Sequence, residues 1–471
     1  MQKGFVFDVN RCTGCEACQI ACSIENRVDP GVSWRRVYTF NPQRYPGVPT
    51  FHHSLACNHC VDPPCMKYCP ALAYSKNSDT GAVTIEPDKC IGCKYCSWAC
   101  PYDAPQFNYS NGTMEKCTFC VHRLESGLEP ACVALCPTGA LGFEEHQNRV
   151  IVKSGDTHDG GDHRIPGFTQ TDIGPAIRFV PLRAERKAPV CSTGQRPAVG
   201  AEWVNTGGDR IGLRSEWTLA VFTYLAAILV GLYTAGFVAS TSGAFEFQLS
   251  LSPVVFLLIG GSGVALSTLH LGRRARAWRA ALNCRRSWLS REVLLYPAFL
   301  VAGTVTLFSD QNGDIVGWLV ALVGFAALFS MDRVYHVTRV GGLWSHSAQV
   351  FLTGLLFAGL FSANVVLFGL LASVKALLYL RRKYRLAKLG RDSGPWLTRG
   401  RVLIGVAVPL AMWSTGSPAL YPAIITAVLV GELLDRCEFY GEFDAPAPSK
   451  QMASDLAAVV HGLDTKTETD A

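Results

Sequence analysis

The sequence predicts a two-part chain: a small α+β module whose core is bound metal, then an all-α bundle of about eight membrane-spanning helices. Two observations carry this. Sixteen of the 19 cysteines fall between Cys12 and Cys136, in four groups of four. The first 215 residues are polar and rich in Cys, Pro and Gly, whereas Trp217 to Leu434 consists mostly of apolar runs. The net charge over 471 residues is only +6, and nothing in the sequence suggests nucleic acid as a partner.

The first cysteine group, Cys12, Cys15, Cys18 and Cys22, and the third, Cys90, Cys93, Cys96 and Cys100, both read C-x2-C-x2-C-x3-C. That run holds [4Fe–4S] clusters. The second group, Cys57, Cys60, Cys65 and Cys69, opens its middle gap to four residues; the fourth, Cys117, Cys120, Cys132 and Cys136, opens it to eleven. Pro70, Pro101 and Pro137 follow the last cysteine of three groups. Three thiolates in one tight loop can cap three irons of a cubane, but that loop cannot reach the fourth iron. The fourth cysteine of such a run ligates the other cluster of a pair. Sixteen cysteines therefore make four cubanes with none left over. Zinc would want isolated C-x2-C knuckles, and disulfides would need an oxidising compartment. The expected fold is an α+β ferredoxin-like double module in which metal ligation supplies a large part of the stability.

Residues 4–9, GFVFDV, alternate as a short strand. Cys22 falls on a short helix, Val32–Phe40 and Val48–Leu55 read as strand pieces, and Val83–Ile85 as a strand before the third group. Residues 1–143 form this domain. From 144 to 216 the chain turns to clusters of Gly, Pro, Asp and Arg, the composition of a linker. Asp156, His158, Asp159, Asp162 and His163 could compose a metal site, but without helical or strand spacing a solvated turn is the better reading. So long a segment is expected to lie along a partner protein, and Cys191 within it is a bystander. Met1–Asp8 has neither an apolar signal region nor a twin arginine, so no export signal is expected.

The membrane part spans 217–441, with a polar tail at 442–471. Trp217–Ala239, Ser252–Leu271, Glu292–Phe308 and Asp314–Met331 each have about the length a bilayer needs. Ser347–Leu380 is too long for one span, and a break near Ser362, Ala363 and Asn364 would divide it. Val402–Trp413 and Ala419–Leu434 complete eight spans, with seven as the fallback. Lys and Arg concentrate before Trp217, in 272–291, in 332–346 (Arg333 and Arg339) and in 381–401; the alternate connections carry none. With eight spans every basic connection shares a face with the cysteine module, and the positive-inside rule makes that face cytoplasmic. The competing reading is that these arginines contact the cysteine module.

Ionisable residues at span ends are the candidates for function. His270 ends the second span and Glu292 opens the third; Arg333 and Tyr335 follow the fourth; Glu432, Arg436 and Tyr440 close the last. Arg273 and Arg274 read as interfacial anchors. A cluster passes one electron and no proton, whereas a quinone takes two of each, so a quinone site needs hydrogen-bond donors and a titratable group, roles suited to His and Glu. Haem would need axial histidines deep in facing spans, and His270, His336 and His346 all lie at span ends or in a loop, so no haem is expected. Ion pumping would call for acidic residues in mid-span. Essentially none is read there, Lys375 being the one charge well inside an apolar run.

Residues 4 to about 143 resemble the four-cluster electron-transfer subunit of the dimethyl sulfoxide reductase family of molybdenum enzymes, through all sixteen cysteines, including C-N-H-C-V-D-P-P-C and C-P-T-G-A. Residues 217–441 resemble the membrane anchor subunit of the same complexes, through H-L-G-x-x-x-R-A-W, W-L-S-R-E, R-V-Y and G-E-L-L-D-R-x-E-F-Y-G. The linker is not covered. The resemblance implies four ligand sets. Cys12, Cys15, Cys18 and Cys136 would hold the cluster nearest the molybdenum subunit, and Cys22, Cys117, Cys120 and Cys132 the second. Cys57, Cys60, Cys65 and Cys100 would hold the third, and Cys69, Cys90, Cys93 and Cys96 the one nearest the membrane. It further implies a site for menaquinone or ubiquinone without haem, at His270 and Glu292, with Arg276, Arg333, Tyr335 and Arg436 as further candidates. In this family the two subunits are normally separate chains, and the region between spans five and seven is shorter here.

The expected function is electron relay between a separate molybdopterin catalytic subunit and the quinone pool, in a prokaryotic cell membrane. No pterin or flavin domain is recognisable in the chain, so substrate chemistry belongs to the partner. A cytoplasmic cluster face favours a cytoplasmic oxidising complex over an exported sulfoxide reductase. The alternative is a membrane-bound polyferredoxin that couples a hydrogenase or soluble ferredoxin to quinone; a third reading is an ion-pumping module.

Overall fold

A computed structural model describes residues 2–146, 165–169, 171–180, 182–183, 212–242, 252–309, 314–338, 346–388, 395–443 and 445–469. Cys191, Arg339 and the cluster of Asp156, His158, Asp159, Asp162 and His163 lie outside these residues. The chain divides into two compact units, Met1–Arg210 with Ala445–Ala471, and Ile211–Asp444.

The first unit is built from short elements between cysteine loops. They are β1 (Gln2–Asp8), α1 (Ala17–Asn26), β2 (Arg36–Phe40), β3 (Phe51–Leu55), α2 (Pro64–Lys67), β4 (Tyr74–Lys76), β5 (Val83–Ile85), α3 (Tyr95–Ala99), β6 (Gln106–Asn108), β7 (Thr113–Glu115), α4 (Val121–Glu125), α5 (Ala131–Ala134), β8 (Leu141–His146) and β9 (Ile177–Val180). β1 is central in a three-stranded sheet, antiparallel to β8 and parallel to β9, and the other strands form three two-stranded ribbons. The alternation in GFVFDV buries Phe5, Phe7 and Val9, and Phe5 packs edge-on against Phe119 and Phe143. The strand expected over Val32–Phe40 begins only at Arg36: Ser33 Oγ donates to Arg35 O at 2.8 Å, and the Arg35 side chain is turned inward.

Two stretches differ from their expected roles. Within the expected linker, Ile177–Val180 adds β9 to the sheet, with Ile173, Ala176 and Ile177 buried. Within the expected polar tail, α15 (Pro448–Thr469) packs on the same unit, where Met452 and Leu456 join its core and Asp455 Oδ2 accepts from Gly167 N at 2.6 Å. Both carry apolar residues spaced too sparsely to stand out in sequence.

The second unit is helical: α6 (Leu213–Ser242), α7 (Pro253–Leu269), α8 (Trp288–Ser309), α9 (Asp314–Val334), α10 (Val350–Phe361), α11 (Val365–Lys388), α12 (Pro395–Val402), α13 (Val408–Ser414) and α14 (Tyr421–Glu442). A π-helical segment, Leu403–Ala407, joins α12 to α13. Its Gly405 lies against Gly431 of α14 so closely that a Cβ on Gly431 would meet the Gly405 Cα at 2.4 Å, the close backbone approach that small residues permit between helices in lipid. The core is aromatic, with Phe222, Tyr233, Phe256, Tyr296, Phe299 and Phe357 all buried.

The break expected near Ser362 is present. Ala363 is left-handed (φ 48°), Asn364 N donates to Gly359 O at 3.0 Å, and Asn364 Oδ1 accepts from Leu367 N at 3.0 Å to start α11. Four described helices are long and apolar enough to cross a membrane, or five if α7 and the 3-10 segment Arg274–Ala281, bent by 105°, count as one. α10, with 12 residues, is shorter than a bilayer requires.

Candidate metal centres and a buried membrane site

Each cysteine group opens with the same local device. In C-x2-C the residue before the second cysteine takes a left-handed backbone: Gly14 (φ 72°), His59 (φ 41°), Gly92 (φ 68°) and Phe119 (φ 63°). This turns its N–H back toward the first sulfur, at 3.4 Å for His59 to Cys57, Gly92 to Cys90 and Phe119 to Cys117. Glycine does this without strain, whereas a side chain at such a φ costs on the order of 1–3 kcal/mol. His59 and Phe119 bear that cost in contact with each other, their rings 3.6 Å apart. The loop shape, rather than the glycine, is common to all four.

The sulfurs gather across groups as well as within them. One cavity is lined by Cys12, Cys15, Cys18 and Cys136 with Pro137, and another by Cys57, Cys60, Cys65 and Cys100 with Pro101. Cys22 interacts with Cys132 and Cys120, and Asn26 Nδ2 reaches both Cys22 Sγ (3.8 Å) and Cys120 Sγ (3.6 Å). Cys96 interacts with Cys93, Cys90 and Cys69. In both cavities three sulfurs come from one group and one from its pair. Among the described residues no three His, Cys, Asp or Glu side chains converge as ligands of a single metal ion would.

Several of the buried thiols are poor acids as they stand. Burial pushes Cys22 up to about 12, and burial followed by the charges of Cys57, Cys100 and Cys65 pushes Cys60 well above the ordinary thiol range. Cys136 goes the other way: burial opposes ionisation, but the Leu141, Ala140 and Thr138 N–H groups and the Thr138 hydroxyl lower it. Four buried thiolates around one cavity require a compensating cation, and coordination to metal deprotonates a thiol outright. This donor set fits an iron–sulfur cubane.

In the second unit a cavity of about 310 Å³ is lined by residues that include Asp332, Arg333, Tyr335, His346, Arg436 and Phe439. Three expected site residues, Arg333, Tyr335 and Arg436, line it. Glu292 is buried on α8 and interacts with the charges of Arg436 and Asp332, without lining the cavity. His270, half-buried at the C-terminus of α7, and Arg276, in the 3-10 segment, do not line it. Arg436 donates to Thr223 Oγ1 (3.0 Å) and Ala348 O (2.9 Å) and lies over Phe439, with its Cζ 5.1 Å from the ring centroid. Tyr335 and Tyr440 share a hydrogen bond. Asp332 accepts from Val350 N (2.7 Å) and Phe351 N (2.9 Å), neutralising the start of α10.

A larger polar feature emerges only in the folded unit. Lys375 is not alone. Its Nζ lies 2.7 Å from Glu432, and Arg401 lies 3.1 Å from Glu432 and 3.2 Å from Asp435. Arg382 reaches Asp435 (3.1 Å), Glu438 (3.3 Å) and Glu442 (3.1 Å), and Lys383 pairs with Glu438 and Glu442. Four cations and four carboxylates thus form one buried ladder between α11, α12 and α14. Glu432 is expected from sequence at the end of a span closing near Leu434, but α14 runs to Glu442, which puts Glu432 in mid-helix. The available signal is the i, i+3, i+6, i+10 spacing of Glu432, Asp435, Glu438 and Glu442, which is one helix face. His346, beside the cavity, contacts this ladder through Arg382 (Nη1 to Nε2, 2.9 Å).

Comparison with known proteins places two family models on the sequence. A 4Fe-4S dicluster domain matches residues 48–146, and the DMSO reductase anchor subunit (DmsC) matches residues 211–386. The first match begins after the first cysteine group, and the second ends before α12. A component of the anaerobic dimethyl sulfoxide reductase of Escherichia coli is 44% identical over 150 residues, covering 30% of this chain and 73% of that protein. A component of the sulfite dehydrogenase of Allochromatium vinosum is 36% identical over 207 residues, covering 39% of this chain and 85% of that one. A component of the tetrathionate reductase of Salmonella typhimurium is 44% identical over 137 residues, covering 29% and 54%.

Proposed function

Since this protein belongs to the dimethyl sulfoxide reductase family, as an iron–sulfur subunit fused to a membrane anchor, we propose that it relays electrons through four [4Fe–4S] clusters between a separate molybdopterin catalytic subunit and the membrane quinone pool. The observation that carries this reading is the gathering of sixteen thiols into four quartets on a chain that also contains an anchor domain. Bound clusters supply one-electron transfer. The protein's part is to hold each quartet on left-handed loops, screen it from water and aim backbone N–H groups at its sulfurs. Cys12, Cys15, Cys18 and Cys136 would hold the cluster nearest the catalytic partner, and Cys69, Cys90, Cys93 and Cys96 the one nearest the membrane.

Menaquinone or ubiquinone would meet His270 and Glu292, with Arg276 and the cavity residues Arg333, Tyr335 and Arg436 close to its path. A quinone needs donors to its ring oxygens and a titratable group for its protons, and these side chains supply both. The paired ladder favours a structural clamp over an ion pathway, because each of its carboxylates is matched by Lys or Arg.

We further propose an eight-span topology in which α10 is a short span and α11 a separate one, with the cluster unit and the basic connections facing the cytoplasm. A reporter fused after Ala471 is expected to register cytoplasm; a periplasmic signal would overturn that orientation.

The function is tested by purifying the complex from native membranes through a tag on this protein. Molybdenum or tungsten, a large co-purifying subunit and roughly sixteen irons or more per complex are expected. Iron without a large partner would replace this reading with the polyferredoxin coupled to a hydrogenase or soluble ferredoxin.

A further inference from the structure

Among the described residues of the first unit, the largest fully buried side chain is a cation. Arg35 is 2% exposed, and among the described residues no carboxylate pairs with it. Its Nη1 donates to Ser54 O (3.1 Å) and Ser54 Oγ (3.0 Å), both neutral, and its guanidinium lies over the Phe5 ring, with Cζ 4.5 Å from the centroid. The Ser54 hydroxyl is in turn 3.2 Å from Cys18 Sγ. Arg35 Nη2 is buried without an oxygen or nitrogen acceptor among the described residues. The sulfurs of Cys132, Cys117, Cys18 and Cys22 are close enough to act on Arg35 electrostatically.

A buried charge with no counter-ion is costly enough that proteins rarely keep one. The arrangement makes sense if the counter-ion is a bound cluster. We propose that Arg35 is the resident counter-cation of the Cys22, Cys117, Cys120 and Cys132 quartet, bordering the first quartet through Ser54 and Cys18, and that its charge sets the reduction potential of the cluster held there. Reduction adds one negative charge to a cluster. A fixed positive charge in a low-dielectric interior stabilises the reduced form more than the oxidised form, so the potential rises. Arg35 is thus a positioning residue that shapes the order in which electrons occupy the series of clusters. The Arg35 charge also reaches His59, beside Cys60 of the third quartet, so the effect should be graded along the series.

This inference rests on reading the cysteines as cluster ligands, and the iron content of the purified complex tests that reading separately. Arg35 is tested by redox titration of the complex, following the cluster signals by electron paramagnetic resonance, in Arg35→Met, Arg35→Gln and Arg35→Lys. In both neutral variants the reduction equilibrium of one cluster should fall at least tenfold, a downward shift of about 59 mV. The first and third clusters should shift less and the fourth should hold. The lysine variant should recover most of the shift. Loss of that one cluster in both neutral variants, with its retention in the lysine variant, supports the same conclusion. Equal shifts in the lysine and neutral variants, a common shift of all four signals, or no shift with full iron content would overturn the proposal.

Discussion

Cys96→Ser is expected to remove the membrane-proximal cluster, taking about four of roughly sixteen irons with it, and to reduce quinone-linked turnover to the level of membranes lacking the complex. The physical reason is the position of Cys96 in its quartet. It is buried and surrounded by Cys93, Cys90 and Cys69, with the buried Tyr74 nearby. Serine's oxygen is a harder donor than thiolate and a poor match for iron in a cubane. Electrons entering from the catalytic partner would still reach the clusters before the gap, so turnover with a soluble dye as electron acceptor or donor should persist. His270→Arg provides the contrast. It should leave every iron in place, keep dye-linked turnover and lose quinone-linked turnover, since it alters only the membrane site. Equal loss of both activities in Cys96→Ser would overturn the proposed order of clusters, and retained quinone turnover in His270→Arg would overturn the proposed role of His270.

The second large effect concerns the charge ladder. Lys375 and Glu432 are 1% and 5% exposed, and Lys375 Nζ also donates to Ser347 O (2.6 Å) and Thr353 Oγ1 (2.7 Å). Removing one partner of a buried pair leaves an uncompensated charge and costs on the order of 3–5 kcal/mol. Lys375→Met is therefore expected to lower the melting temperature of the detergent-solubilised complex by roughly 10 °C. Glu432→Leu should do at least as much harm, because it leaves Lys375 without its carboxylate and removes one of the two that face Arg401. The double variant leaves three cations and three carboxylates, Arg401 keeping Asp435, and should recover more than half of the larger single loss. A melting temperature in the double variant equal to the sum of the two losses would show that the residues act independently and that the ladder is not a neutral unit.

Both predictions draw on information of different range. The cysteine triplets are legible because a C-x2-C-x2-C run is a local geometry: three residues per step and a left-handed turn bring the sulfurs into one loop whatever surrounds it. The first strand is legible for the same reason, since the alternation in GFVFDV needs only one buried face. The helix break at Ser362–Asn364 can be read from length alone. The span count cannot, because α10 and the bent α7 segment are defined by how helices turn and pack rather than by apolar content.

The site in the second unit divides in the same way. Arg333, Tyr335 and Arg436 stand at span ends and are visible as costly charges or hydrogen-bonding groups at the edge of lipid. Asp332 and His346 escape a sequence reading as site residues, since their place beside the cavity depends on α9, α10 and α14 converging. Glu432 is visible but reads as a helix end, because the sequence does not mark that α14 continues through polar residues to Glu442. Its polar face is satisfied by α11 and α12, and that partnership is invisible in either segment alone.

By itself the sequence determined the chemistry of this protein's first unit, four cysteine loops suited to iron–sulfur cubanes, and the presence of a long apolar second part. These depend on spacing within a few residues, where covalent geometry leaves little choice. Only the tertiary structure decided that β9 and α15 join the first unit, that Arg35 sits among thiols with no carboxylate partner among the described residues, and that Lys375 has a carboxylate partner. Those contacts join residues tens to hundreds of positions apart, and the free energy that selects them comes from burial and charge compensation, which no local pattern encodes.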